Sequence, residues 1–307
     1  MNFFPIRIGT LRPGAPVHFD IYILVAEKHI YYIKKTDPIE EVRLEKLKEK
    51  GVKKLYIKSQ DEPLYLEYLD LGLHNLKNAQ IAPQEKALLA HDALVTEAEN
   101  VEKSLETEQA YQRTEVRVGK IVEFLTSEKG AIRGILGATG CSIDNFQHSA
   151  SVSSLTLALA MKVGIQDPQE LLDLALAGLL HDIGKTKLGI GPATPREALT
   201  REQLKEYHRH PVAAVEMLAG KKFVNARVLR LISDHEEIGN GNGFPEKKML
   251  SKLPLNSQIL NLCNEFDRLS ATLKISHLTL YPKFQAEKIG LFALEHMKIL
   301  NELIQTK

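Results

Sequence analysis

Tryptophan is absent from the 307 residues, and cysteine occurs only at 141 and 263. Two thiols cannot furnish a four-cysteine zinc site. A chain of this length builds its core without disulfides, so a reducing cytoplasm is the expected setting. An excess of one charge is missing too. Forty basic and 39 acidic side chains leave a net charge of +1, without the basic surplus of a general nucleic-acid binder. No apolar run reaches the roughly 18–20 residues that span a bilayer, so neither nucleic acid nor membrane is an expected partner. The opening MNFFPIRIGT lacks the charged start, apolar centre and small-residue cleavage site of a signal peptide. What is present is 44% apolar and 26% charged residues, the proportions of a globular chain long enough for two domains.

An α+β organisation follows from the periodicities. Residues 1–82 read as a small mixed α/β regulatory domain. Ile21–Val25 and Ile30–Ile33 are β-rich runs, a helix opens after Asp37-Pro38 and ends at Gly51, Val52–Ile57 returns as a strand, and Asp61-Glu62-Pro63 starts another helix. Residues 83–118 read as a helical linker. From 84 to 118 there are eight acidic and four basic residues, with apolar positions at Leu88, Leu89, Val95, Val101 and Leu105. Such a long polar helix is either a solvated spacer or a helix that pairs with a second copy of the chain or carries a signal between domains. Residues 119–307 read as an all-α domain. Leu155–Met161 and Leu171–Leu180 are nearly all apolar and should be buried helices, and helical patterns continue over 251–273 and 286–304.

The chemistry lies in the histidines of this last part. His181-Asp182 closes the most apolar helix, within Leu179-Leu-His-Asp-Ile-Gly-Lys185. Burying an imidazole beside a carboxylate costs several kcal/mol unless a partner offsets the desolvation, and a metal ion is the natural partner. An imidazole and carboxylate donor set suits iron, manganese, zinc or nickel. His208 and His210 are two residues apart and point different ways on a helix. His210 is favoured because Pro211 marks a helix start beside it. Asp144 and His148 share a helix face, as do Asn264 and Asp267.

His148, His181-Asp182 with Lys185, His210-Pro211 and the segment His235-Glu-Glu-Ile-Gly-Asn-Gly-Asn-Gly-Phe-Pro245 resemble, in order and spacing, the HD-GYP branch of the HD phosphohydrolases. The family segment reads H-H-E-x-x-D-G-x-G-Y-P, and the resemblance covers roughly residues 140–275. It implies an all-α domain with two or three metal ions that hydrolyses cyclic di-GMP. Several positions depart from the family. Glu236 stands for a second His, Asn240 for an Asp and Phe244 for the Tyr. Asn264 stands where the family's D-x-x-D-A-L-T-S-D-R-P-Y segment begins with a metal-binding Asp, and Leu273 stands for its phosphate-holding Arg.

The resemblance implies two divalent transition-metal ions, iron foremost, with water activated between them attacking phosphorus. Asp182 would bridge, giving one oxygen to each ion. His148 and His181, with Asn264 or Asp267, would complete one ion, and His210, His235 and Glu236 the other. Lys185, one turn beyond His181, would reach the phosphate. Gly243 and Phe244 would touch the substrate, and Asp144 would either be a helix N-cap or surface residue or extend the centre to a third metal. Gly239, Gly241 and Gly243 would make either a flexible loop, serving as a lid or as a contact for a protein partner, or a simple connecting turn. The expected function is a metal-dependent phosphodiesterase for cyclic di-GMP or a related nucleotide, of low activity. The alternative is a catalytically degenerate sensor or adaptor built on the same domain.

Overall fold

A computed structural model describes residues 2–139, 145–190 and 195–305. Its N-terminal part is a four-stranded antiparallel sheet in the order β1-β4-β2-β3, with β1 Phe3–Arg7, β2 Ile21–Val25, β3 Lys28–Ile33 and β4 Lys54–Lys58. Helices α1 (Glu41–Glu49) and α2 (Glu62–His74) complete it. The expected strands and helices of this part are present. β1 is an addition: Pro5 obscures it in the sequence, and an edge strand tolerates a residue without an amide proton. Ile6, Val17, Phe19, Ile21, Leu44, Leu55, Ile57 and Tyr65 form a core of its own for this part.

The remainder is helical and has a second, larger core. Its helices are α3 (Pro83–Glu99), α4 (Val101–Ser104), α5 (Glu108–Ser127), α6 (Ala131–Ala138), α7 (Asn145–Val163), α8 (Pro168–Leu180) and α9 (Gly184–Lys187). They are followed by α10 (Arg201–Tyr207), α11 (His210–Ala219), α12 (Ala226–Asp234), α13 (Leu255–Leu273), α14 (His277–Lys288) and α15 (Leu294–Gln305). No helix among the described residues is long and apolar enough to cross a membrane.

The 83–118 segment corrects the expectation of a solvated spacer. It is broken at Asn100 and before Glu108, and α3 is buried over most of its length, from Lys86 to Ala98. Several of its charges are paired inside the chain, while others, among them Glu85, Glu102, Glu106 and Arg113, stay exposed. Lys86 Nζ donates to Glu128 at 2.8 Å, and Arg117 pairs with Asp70 at 2.7 Å and Glu97 at 2.9 Å. Leu89, Val95 and Leu105, the stripe expected to serve a second copy, already belong to the large core. The polar sequence misled because paired buried charges and solvated charges look alike in a composition count.

α3 also carries the seam to the sheet. Arg7 is ion-paired with Glu99, the Gly9 amide donates to Asp92 Oδ2 at 2.8 Å, and Thr10, Tyr65 and Thr96 form a hydroxyl chain. Burial pushes the Asp92 carboxyl up to about 6 against the opposing Gly9 bond. On the helical side, Lys53 Nζ reaches Gln147, next to His148, at 3.4 Å.

Candidate metal centre

Close helix contacts assemble the site. α8 starts on an N-cap, Asp167 accepting the amides of Gln169 and Glu170, and runs as a buried apolar rod to His181. Gly178 lets α8 lie against α7, because a Cβ there would sit 2.7 Å from Ser153 Cα. Ser153 Oγ then donates to the Ala175 carbonyl at 3.0 Å. This contact brings His148 of α7 to His181. Gly184 does the same for α11: its Cβ would lie 2.0 Å from the His210 carbonyl oxygen. Pro211 stands in the first turn of α11, as expected, and His210 begins it.

Two buried groups of possible ligands result, and they share one carboxylate. His148, His181 and Asp182 form one, and Asp182, His210 and His235 the other. Asp182 Oδ2 lies 3.4 Å from His181 Nε2 and 3.9 Å from His148 Nε2. Asp182 Oδ1 lies 3.4 Å from His210 Nε2 and 3.7 Å from His235 Nε2. Each oxygen therefore faces a different triad.

The hydrogen bonds on the far side of the rings set the tautomers. The Nδ1 atoms of His181, His210 and His235 donate to the carbonyls of Gly178, Tyr207 and Ile232 at 2.8, 2.5 and 2.6 Å. Nε2 is then an unprotonated acceptor in each neutral ring. Yet His210 Nε2 and His235 Nε2 stand 2.8 Å apart, lone pair toward lone pair. His181 Nε2 and Asp182 Oδ1 are buried with no hydrogen-bond partner. Acceptors that converge without a donor are unfavourable unless a cation lies among them. The residues present fit a metal.

Electrostatics agrees. Burial pushes the His181 imidazole below its usual range. Burial, then Lys185 and His235, push His210 well below it. Both rings are thereby kept neutral, the ligating form. For Asp182, burial would raise the carboxyl, but the positive charge around it, that of the Lys185 ammonium bonded at 2.6 Å included, outweighs burial and holds it well below the usual carboxylate range.

Other expected site residues fall into distinct places. His148 Nε2 faces Asn264 Oδ1 at 3.1 Å, while its Nδ1 bonds Asp267 Oδ2 at 2.7 Å. Asn264 is thus on the triad side of the ring and Asp267 behind it. His277, which the sequence reading missed, holds the other Asp267 oxygen at 2.8 Å. Glu236 is 3.9 Å from His210 Nε2, but Tyr207 Oη donates to one of its oxygens at 2.8 Å and Arg196 approaches the other at 3.4 Å. Lys185 is buried, bonds Asp182 Oδ2 at 2.6 Å and lies over the Tyr207 ring. Asp144 lies outside the described residues.

Beside the second triad is a cavity of about 370 Å³, lined among others by Arg196, His208, Glu236, Phe244, Glu265 and Lys288. Gly243 and Phe244 line it as well. The glycine loop, however, is packed rather than free. A Cβ on Gly243 would lie 2.4 Å from the Ile238 amide nitrogen, and the Glu237 carboxylate accepts the amides of Glu246 and Lys248 at 2.5 and 2.8 Å. His208, the histidine not placed at the metals, lies against the Phe244 ring with centroids 4.3 Å apart. Leu273 is exposed at the end of α13 and is not among the residues lining this cavity.

An all-α domain with His-Asp at a helix end and four histidines converging on that Asp defines an HD domain, and residues 143–280 match the HD domain family model. Within that class, the chain has support for the HD-GYP family in the relatives it resembles. It is similar to Bd1817, a HDG"Y"P protein from Bdellovibrio bacteriovorus, with a TM-score of 0.82, 27% identity, and 99% of this chain and 100% of that one covered. It is 29% identical over 126 residues to the cyclic di-GMP phosphodiesterase PA4108 of Pseudomonas aeruginosa, covering 41% of this chain and 30% of that protein. With the cyclic di-GMP phosphodiesterase response regulator RpfG of Xanthomonas campestris pv. campestris it shares 25% identity over 216 residues, 68% of this chain and 55% of the relative. The chain thus spans about a third to about half the length of these two curated relatives.

Proposed function

We propose that this protein is a metal-dependent phosphodiesterase of HD-GYP type, directed at cyclic di-GMP or a related nucleotide, with weak turnover. The observation that carries the reading is Asp182, with one oxygen toward each of two histidine pairs whose acceptor nitrogens converge without donors. His148, His181 and Asp182, with Asn264 alongside, would hold one ion; Asp182, His210 and His235, with Glu236 within reach, would hold the other. Iron is the first choice for both, and manganese, zinc and nickel suit the same donors. When bound, such a pair of ions polarises a phosphodiester and lowers the pKa of water at the site.

The chain's own residues do the rest. The carbonyls of Gly178, Tyr207 and Ile232 fix the ring tautomers, and Asp267, braced by His277, fixes His148. Lys185 stands next to Asp182, where its ammonium can stabilise negative charge developing on a phosphate. Glu236 lines the cavity and opposes an anionic ligand.

A second reading, a sensor or adaptor that binds nucleotide, or a protein through the 239–245 turn, is favoured by Leu273 and Phe244. The first lies away from the cavity, and the second lacks the hydroxyl of the family's Tyr. The test compares cyclic di-GMP with a generic aryl phosphodiester on fully metallated protein. The expected outcome is slow hydrolysis of cyclic di-GMP, because Leu273 and Phe244 leave fewer contacts to the second phosphate and the bases than the family pattern has. Rapid, selective cleavage of cyclic di-GMP contradicts the weak-turnover claim. No hydrolysis of either diester by the metallated protein favours the adaptor.

A further inference from the structure

We infer that Arg196 is the residue that anchors a substrate phosphate in the cavity beside the second triad, and so sets the preference for a dinucleotide over a simple diester. The inference rests on the phosphodiesterase reading and deepens it. The family position for this task is occupied by Leu273, which lies at the exposed end of α13, away from the cavity lining. The cavity is not short of cations. Arg196 and Lys288 both line it.

The pairing pattern separates the two. Lys288 Nζ is committed to Glu265 at 2.7 Å, and Arg268 also grips Glu265, with Nε at 2.8 Å and Nη2 at 3.2 Å. Glu265 is therefore neutralised twice over without Arg196. Arg196 reaches Glu265 only at 3.4 Å, through Nη2, and Glu236 only at 3.4 Å, through Nη1. Glu236 keeps its Tyr207 bond at 2.8 Å when Arg196 leaves. A guanidinium presents five donors in a planar fork that matches phosphate oxygens two at a time. Held by two long contacts to carboxylates that have better partners, and with its side chain a quarter exposed, Arg196 can turn to a phosphate at little cost. His208 and Phe244, with ring centroids 4.3 Å apart on the same cavity wall, offer aromatic faces to a nucleobase linked to that phosphate. The chemistry recognised is a phosphodiester carrying a stackable base.

The experiment uses metallated full chain with Arg196→Ala and Arg196→Lys. The readouts are kcat and KM on cyclic di-GMP and on an aryl phosphodiester, metal content, and equilibrium binding of cyclic di-GMP. Arg196→Ala should lower the ratio of kcat/KM for cyclic di-GMP over the aryl diester by about ten- to a hundredfold, with wild-type metal content. Arg196→Lys should recover part of it as a point charge without the fork. An unchanged ratio overturns the inference, whichever way the absolute rates move. If the wild type hydrolyses neither diester, the phosphodiesterase reading fails by itself. Binding then decides on Arg196: about ten- to a hundredfold weaker binding in Arg196→Ala sustains the inference, and unchanged binding, or none by the wild type, overturns it.

Discussion

Asp182→Ala is expected to empty both halves of the metal centre at once. A variant of any single histidine should affect mainly its own half, because among the described residues Asp182 alone faces both triads, Oδ2 toward His148 and His181 and Oδ1 toward His210 and His235. The substitution also strands Lys185, whose buried ammonium bonds Asp182 Oδ2 at 2.6 Å. Removing one partner of a buried ion pair costs about 3–5 kcal/mol, and lost ligation adds to it because metal binding free energy is folding free energy. Metal analysis of the variant beside His148→Ala and His235→Ala, together with thermal melts, checks this. Full metal occupancy in Asp182→Ala would show that the carboxylate does not bridge.

The second large effect is expected at Gly184, which no ligand assignment includes. Alanine there places its Cβ 2.0 Å from the His210 carbonyl oxygen and 2.6 Å from the Ala214 amide nitrogen. Both obstacles are backbone of α11 and have no rotamer to escape into, so α9 and α11 must part. Overpacking costs typically 1–3 kcal/mol, and here about 3 kcal/mol or more, because a helix rather than a side chain must move. Since α11 carries His210, metal should be lost selectively from the His210–His235 side. Gly137→Ala, whose Cβ meets nothing within 4 Å, is the control and should stay within about 0.5 kcal/mol of wild type or be slightly stabilised. A wild-type melting temperature with full metal content in Gly184→Ala would refute the close-packing account.

What could be read in the sequence is what is local. His181-Asp182 at the end of an apolar helix, Pro211 after His210, and the β-rich runs of β2 to β4 each carry their meaning within a few residues. The missed features depend on distant partners. Tyr207 matters because its hydroxyl meets Glu236, and His277 because it meets Asp267. Arg196 matters because Arg268 and Lys288 have already taken Glu265. None of these has a local signal. The glycine loop shows the same limit. Gly243 reads as freedom in a sequence, whereas the fold uses its missing side chain to press the backbone against Glu237 and Ile238. The polar 83–118 stretch looked solvated because nothing nearby in the chain reveals that Glu97 meets Arg117 or that Glu128 meets Lys86.

The central claim is a centre of at least two metal ions sharing Asp182. The most direct measurement is elemental analysis of full-length wild-type protein purified without chelators. The account predicts two or more transition-metal equivalents per chain, removed together by a strong chelator. A reproducible value near zero, for protein that is folded and has never met a chelator, would contradict it.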